Sequence, residues 1–544
     1  MKRLSIYLLA SVALLSTSCS DFLDTTPHDS LAPTNSWKSE SDAEKFVTGC
    51  YNGLLDANSI LYLDCGSDIG YNNFPWEGYR PWGDGSLSSG NTGASFYGYG
   101  IIRRCNTVLE NIDNVNFSSQ EKKADLIAQV KAIRAYRYFN MNWWYGGVPI
   151  ISNYASAEEA KVPRDTEEKV REQIAKDLDD AIKDINVVPS ARGRIAKGAV
   201  LAMKMREALY YGDWQKAKDA AQAIINLDQY ELEEDYSNLF RVSGQGSKEI
   251  ILADQRLESI FALGTIGQMY NNAESGWSSI VPTQNLIDMY EMNNGLTKDE
   301  PNSGYDPAHP FANRDPRMAM SIIYPGRDWN GSIYNTLDKT VTVLDDKGNK
   351  TTVANENFPT YTDNASKTAL TWAKYLDPMS QYSNMWATNA CVIVYRYAEV
   401  LLSWAEAENE LNGPTKNVYE YINKIRTRAG MPEVNKDKYN TKETMRELIR
   451  RERCVELAGE GLRRADILRW KDNNGKMLAE TLMNGKLLRI TGTVNNNESE
   501  PTMRAKVTGT EVIETRQFAP KNRYLPLGTY LFDSNPNLTQ NPGY

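Results

Sequence analysis

The sequence predicts a mainly α protein: short helix pairs that must stack, interrupted by irregular loops and small β-hairpins. Three observations carry that expectation. Apolar residues recur at helical spacing in paired segments that end at Gly breaks; aromatic, Gly-rich stretches without any period interrupt them; and short alternating runs flank polar turns.

The elements follow in order. Ser39–Leu55 reads as the first helix, with Ala43, Phe46, Val47 and Tyr51 on one side. Gly66–Gly100 then holds nine Gly among Tyr71, Phe74, Trp76, Tyr79, Trp82, Phe96, Tyr97 and Tyr99. It has no period, so it is expected to be a long loop, and long ordered loops are usually functional. Helices resume from Ile101, where Cys105, Val108, Leu109 and Ile112 complete a stripe. Ser119–Trp144 follows and ends at Gly146-Gly147-Val148-Pro149; Thr166–Ile185 comes next. Ala196–Tyr211 and Trp214–Leu227, turned by Gly212-Asp213, form the clearest pair of tetratricopeptide-like length. Each such unit must stack to hide its apolar side.

From Ile260 to Trp386 the helical rhythm lapses, leaving isolated Trp277, Trp329, Trp372 and Trp386. Short helices are expected within Pro282–Glu291 and after Asn313–Met318. Thr340–Leu344 and Lys350–Val353 alternate around Asp345-Asp346-Lys347-Gly348-Asn349, as a hairpin does. Tyr395–Asn412 reads as a helix stopped by Gly413-Pro414. A partner helix ends at Ala429-Gly430, and a third begins after Thr441 and runs towards Trp470. Lys486–Gln517 reads as strands and loops, and the Pro-rich tail Ala519–Tyr544 is expected along the surface.

Composition narrows the function. The formal net charge is −9, and no basic block of five occurs, which argues against a nucleic-acid partner. Two His, His28 and His309, cannot build a multi-His zinc site. The six Cys form no C-x-x-C pair. Cys105 and Cys454 are expected to be buried, and a Cys50–Cys65 bridge is open in an oxidising compartment. Phosphate-loop, nucleophile-elbow and H-E-x-x-H motifs are absent. The Asp345–Asn349 run fits a turn better than a calcium loop. The reading names no cofactor, while leaving room for a structural calcium ion in the central loops.

The N-terminus is a targeting segment. Lys2-Arg3 precedes the apolar stretch Leu4–Leu15, too short for a membrane span, and small residues lead to Cys19. A lipoprotein box usually has Leu three places before the Cys; here Ser16 stands there and Leu15 one place further back. The expected organisation is a lipoprotein signal over 1–18, a lipidated Cys19 with a tether over 19–36, and one domain over 37–544. Within it the helical scaffold lies mainly at 39–57, 101–260 and 387–474, with binding loops at 66–100 and 260–386.

Several stretches carry a family resemblance. "RYAEVLLSWAEAENELNG" (Arg396–Gly413), "INKIRTRAGMP" (Ile422–Pro432), "LIRRERCVELAGEGLRRADILRW" (Leu448–Trp470) and "NPNLTQNPGY" (Asn535–Tyr544) together resemble the SusD/RagB family. "DFLDTTP" (Asp21–Pro27) and "IRAYRYFNMNWWYGGVPII" (Ile133–Ile151) are similar to it too. The resemblance implies an outer-membrane lipoprotein, lipid-anchored and facing the exterior. It would bind a glycan and pass it to a SusC-like TonB-dependent β-barrel transporter without breaking a bond. A RagB-like peptide binder of the same fold is the alternative, and the fold the resemblance implies is mainly α, an α-superhelix of tetratricopeptide-like helix pairs with irregular loops and small β-hairpins on one side.

Two kinds of site chemistry are open. An exposed aromatic ring can stack on the C–H face of a sugar, while amide and charged groups bond its hydroxyls. The Tyr71–Trp82 loop sets Asn72, Asn73, Glu77 and Arg80 beside Trp76, Tyr79 and Trp82. The resemblance draws ligand-binding aromatics from this loop and from the central segment. The expected set is therefore Asn73, Trp76, Tyr79, Trp82, Trp277 and Trp329. The alternative is an acid–base pair of a helical glycoside hydrolase, for which Glu452/Glu456 and Glu406/Glu410 have helical spacing. Seven Arg between Arg426 and Arg469 instead favour a buried Arg–Glu network. A pure protein-interaction scaffold would leave the lipobox and the aromatic loop unexplained.

Overall fold

A computed structural model describes residues 37–54, 56–154, 156–344 and 347–544. The expected leader, Cys19 and tether lie outside the described residues, as do Leu55 and Asp345-Asp346.

Side-chain caps start several of the long helices. Ser39 accepts from the Asp42 amide ahead of Glu40–Tyr51, Ser119 from Lys122 ahead of Gln120–Tyr145, and Thr166 from Lys169 ahead of Glu167–Asp184. Gly100–Asn111 packs against Gln120–Tyr145, which packs against Glu167–Asp184, and Lys197–Tyr210 pairs with Trp214–Ile225. The superhelix then continues out of sequence order. Tyr397–Asn412 stacks on Trp214–Ile225 and also meets Lys416–Arg428 and Lys442–Glu456. The close approach is made by small side chains: Ala208, Ala217 and Ala407 share one buried cluster with Leu209.

Above this scaffold sits a loop layer with its own core. Tyr62, Tyr79, Tyr270, Tyr290, Trp372 and Tyr375 pack there with Leu286, Ile322 and Val392. Among the described residues the strands form six antiparallel pairs, each two-stranded. Gly70–Asn72 pairs with Ile280–Pro282, setting Tyr71 opposite Val281, so both predicted binding loops meet in one ladder. The predicted hairpin is present as Thr340–Leu344 with Lys350–Ala354, and Gly485–Val494 pairs with Ala505–Arg516.

Three expectations need correction. The Tyr395 helix begins at Tyr397, because Val392–Arg396 is a buried strand paired with Ile250–Asp254; its β-branched residues suit a ladder. The 66–100 loop contains local structure: the strand Gly70–Asn72, a 3₁₀ turn at Pro75–Glu77 and a short helix at Arg80–Asp84. The tail is not a surface strap, since Leu525, Leu527 and Leu538 enter the helical core. Side-chain amides replace a regular ladder there: Asn541 Nδ2 donates to Leu525 O at 2.7 Å and Gln540 Nε2 to Leu527 O at 2.7 Å. The Cys50–Cys65 pairing that the sequence left open is not made: both are free and lie in different cores.

Scaffold and loop layer are joined by a buried ion network on the Lys442–Glu456 helix. Glu452 accepts from Arg317 Nη2 at 3.3 Å and Arg426 Nη1 at 2.6 Å, while Glu456 accepts from Arg317 Nη1 and Arg396 Nη1 at 3.1 and 2.8 Å and from Arg428. Arg317 belongs to the loop layer, and Asp315 holds its other edge at 2.7 Å. This is the expected Arg–Glu network, and both carboxylates are fully buried. Burial alone would raise Glu456, but Arg428, Arg396 and Arg317 outweigh it and hold the carboxyl far below the usual range. Glu406 is likewise buried against Arg469, Arg453 and Trp470, and Glu410 is held by Arg446.

Removing one partner of a buried pair strands a charge, at a cost of about 3–5 kcal/mol. Glu456→Ala is therefore expected to lower the denaturation midpoint in urea or on heating by that amount. Because the folded-state pKa is depressed, Glu456 stabilises fully above the unfolded value of about 4.3 and loses that contribution as pH falls below it. The wild type should lose stability steadily from about pH 4 downwards, and the Glu456→Ala variant less steeply; thermal scans across pH check both slopes.

Candidate ligand platform

The two expected binding loops are hydrogen-bonded to each other. The Asn73 amide donates to Ser279 O at 2.9 Å, and Asn72 Nδ2 donates to the same carbonyl at 3.0 Å. Trp76 and Trp277 thus project from segments clamped to each other a few residues away. Trp76 is 76% exposed with Phe74 beside it, ring centroids 4.8 Å apart. Trp277 is 40% exposed and leans on Trp386 at 4.7 Å. Ser275 and Ser278, on either side of Trp277, hold φ of 63° and 47°, a left-handed conformation that non-Gly residues adopt at a cost.

Trp329 occupies a two-residue hairpin with Asn330-Gly331 at its tip, both at positive φ, as the turn requires. Its indole Nε1 donates to Glu274 Oε1 at 3.0 Å, and the Arg327 guanidinium lies over its ring at 5.3 Å. Glu274 also accepts from Asn330 and Asn271, so one carboxylate joins the Trp329 hairpin to the loop carrying Trp277. Burial raises the Glu274 carboxyl and, in the same way, that of Glu77 next to Trp76.

The other three expected residues are turned inwards. Trp82 is buried among Tyr79, Phe96 and Trp144. Tyr79 is buried with its ring on Tyr62 at 5.0 Å. Asn73 is buried too: its Nδ2 donates to Ala365 O at 3.1 Å and its Oδ1 accepts from the Lys367 amide at 3.2 Å. None presents a free face: in this structure they form the pedestal under the exposed rings. Trp386, which packs on Trp277, was not singled out by the sequence, since an isolated Trp in an aperiodic stretch carries no signal of what it meets.

Guanidinium groups hold this pedestal by its carbonyls. Arg464 donates to Gly66 O, to Trp82 O at 2.9 Å and to Asn522 O at 3.3 Å. It is fully buried without a carboxylate partner, and burial pushes it down to about 10. Arg516 donates to Ser67 O and Gly70 O at 2.6 and 3.0 Å, and Arg80 to Asn72 O and Asn73 O at 3.2 and 3.3 Å. The glycines have a matching cause. A Cβ on Gly93 would stand 2.4 Å from Gly78 O and 2.9 Å from the Trp82 ring, and one on Gly85 would strike Gln517 O at 1.6 Å. The loop crosses itself over Trp82 where only backbone fits.

The scaffold of stacked pairs bearing an aromatic loop platform defines a helical-repeat binding protein, and comparison identifies its family. Residues 248–544 match the profile described as the SusD family, and residues 21–208 match one described as starch-binding associating with the outer membrane. The chain belongs to the SusD family. It is 28% identical over 479 residues to SusD-like protein P25 of Formosa agariphila, covering 83% of this chain and 87% of that one. A SusD-like carbohydrate binding protein from Bacteroides fragilis superposes with a TM-score of 0.77 at 27% identity, covering 92% and 99%. A laminarin binding SusD-like protein shares the fold at a TM-score of 0.67 and 20% identity, covering 93% and 100%.

Two tryptophans six residues apart should therefore behave oppositely. Trp82→Ala should cost about 3–5 kcal/mol of stability, as for a large core ring. Trp76→Ala should stay within about 0.5 kcal/mol of wild type. Thermal denaturation of the two variants side by side checks this.

Proposed function

We propose that this protein is a cell-surface lipoprotein that captures oligo- or polysaccharide on the Trp76–Trp277 platform. It then delivers the glycan to a SusC-like TonB-dependent transporter in the outer membrane. The observation that carries the reading is the exposure of Trp76 and Trp277 on loops clamped to each other. Large aromatic faces left in water on a braced surface suit stacking on sugar rings. The likeness to the SusD-like carbohydrate binding protein of Bacteroides fragilis supports it. Trp386 and Trp329 extend the platform. Asn330 and Glu77 supply polar groups for ligand hydroxyls. Cys19 carries the lipid anchor.

The protein binds without catalysis in this reading, and the engaged carboxylate pairs of the scaffold support it. A shallow, stacking-based site implies dissociation constants of roughly micromolar to millimolar, about −8 to −4 kcal/mol. Several contacts along one polymer raise the effective affinity.

Affinity gel electrophoresis of the full-length chain in detergent, against plant, host-mucin and microbial polysaccharides, tests the reading. Retardation by at least one of them is expected, weakened about tenfold in Trp76→Ala and in Trp277→Ala, which is about 1.4 kcal/mol each. Binding to a peptide pool with no retardation by any glycan would replace it with the peptide-binding alternative.

A further inference from the structure

The described cysteines are of two kinds. Around Cys65, Cys391 and Cys454 the chief neighbours are charged groups and backbone amides, and burial raises each thiol. Cys50 and Cys105 instead lie on two helices that pack together, Glu40–Tyr51 and Gly100–Asn111. Both are thiols in the structure, and both are fully shielded from water.

Contacts at the two ends fix how these helices align. Past the C-terminal end of Gly100–Asn111, the Ser118 amide donates to Glu40, and Lys122 Nζ lies 3.3 Å from the same carboxylate. At the other end Arg104 Nη2 donates at 2.5 Å to the carbonyl of Asn52, which follows the last turn of the first helix. The helices therefore run antiparallel. From the Asn52–Arg104 contact, Cys50 is two residues back along one helix and Cys105 one residue on along the other. These shifts point the same way, by about 3 and about 1.5 Å at the α-helical rise, so the two side chains stand at nearly one level. There the thiols meet and hydrogen-bond each other. The Cys105 S–H and the Arg104 charge hold Cys50 below the ordinary thiol range against burial, while Cys105 is pushed up. Among the described residues no third His, Cys, Asp or Glu joins them to hold a metal.

We infer that Cys50 and Cys105 form a structural disulfide in the exported protein. The inference rests on the proposed placement at the cell surface, and is independent of what the platform binds. Joining the sulfurs removes two electrons and two protons, and the acceptor is a protein disulfide of the oxidising compartment beyond the inner membrane. The Cys50 thiolate attacks one sulfur of that donor, forming a mixed disulfide and releasing the first donor thiolate. Cys105, deprotonated, attacks Cys50 Sγ, which forms the bond and releases the second donor thiolate. The donor leaves as a dithiol with both protons. Neither sulfur reaches solvent once the helices are docked, so the exchange precedes docking. Glu40–Tyr51 is the first described helix, the element that follows the expected tether, and segments near chain ends open most readily. A link from Cys50 to Cys105 fastens that helix to the scaffold covalently and restricts the unfolded chain.

Peptide mapping by mass spectrometry without reductant tests this on the full-length chain taken in detergent from cells that express it, with free thiols alkylated at lysis. A pair of peptides joined through Cys50 and Cys105 is expected, lighter than its two halves by two hydrogen atoms and separated by reductant. It should be lost in Cys50→Ala and in Cys105→Ala, and kept in Cys65→Ala and Cys454→Ala. A second arm refolds the reduced chain from urea in a glutathione redox buffer, where the same link should form in preference to any other. The link in the cell-derived protein upholds the inference. Both cysteines alkylated in each arm, or a link to a different cysteine, overturns it. A link that forms on refolding but is missing from the cell-derived protein overturns it too, and puts the fault in the compartment, not the geometry. The glycan-capture reading stands or falls separately, on the gel panel.

Discussion

The structure depends on the pairing of buried charge at the junction between its two layers. Stacked helix pairs need only apolar faces and small side chains to associate, and such contacts slide easily. The loop layer has no long ladder to lock it, since its strands come in short separate pairs. Glu452 and Glu456 supply the missing specificity. They emerge one turn apart from a scaffold helix and receive guanidinium groups from the loop layer, a strand and a neighbouring helix. Desolvating these ions costs several kcal/mol each, and only the complete set of partners offsets it. A misplaced loop layer would leave charges unpaired, so the network selects one arrangement more than it adds net stability.

The same logic extends outwards in a weaker form. Arg464, Arg516 and Arg80 take up the carbonyls of the Gly66–Asn73 region and Trp82, doing for an irregular segment what a ladder does for a strand. Glycines let the chain cross itself at backbone distance. The result is a loop with no period that is still braced, and bracing matters for a weak binder. Each aromatic held in place beforehand reduces the ordering entropy charged against a shallow contact. Glu274 serves that end by tying the Trp329 indole to the loop of Trp277.

The helical half of the fold was legible in the sequence, because its signal is local. A 3.6-residue apolar period needs no distant information, and the helices at 120–145, 167–184, 197–210, 214–225 and 416–428 lie where that period places them. The Arg–Glu reading of Glu452 and Glu456 was legible for the same reason: carboxylates on an apolar helix face amid many Arg must be paired. The strand at Val392–Arg396 was not, since a short apolar run ahead of a helix shares its composition, and only pairing with Ile250–Asp254 tells them apart.

By itself, then, the sequence determined the helical-repeat class, the two loop segments and the aromatic chemistry available to them. It could not rank the aromatics. Trp76 and Trp82 are the same residue type in the same loop, and one faces water while the other is buried under Phe96 and Trp144. Their fates are decided by residues 60 to more than 400 positions away, Trp144, Arg464 and Gln517 among them. Tertiary structure alone also placed Trp386 beside Trp277. Burial and charge compensation are properties of three-dimensional neighbourhoods, and an aperiodic segment holds no local pattern from which its neighbours can be read.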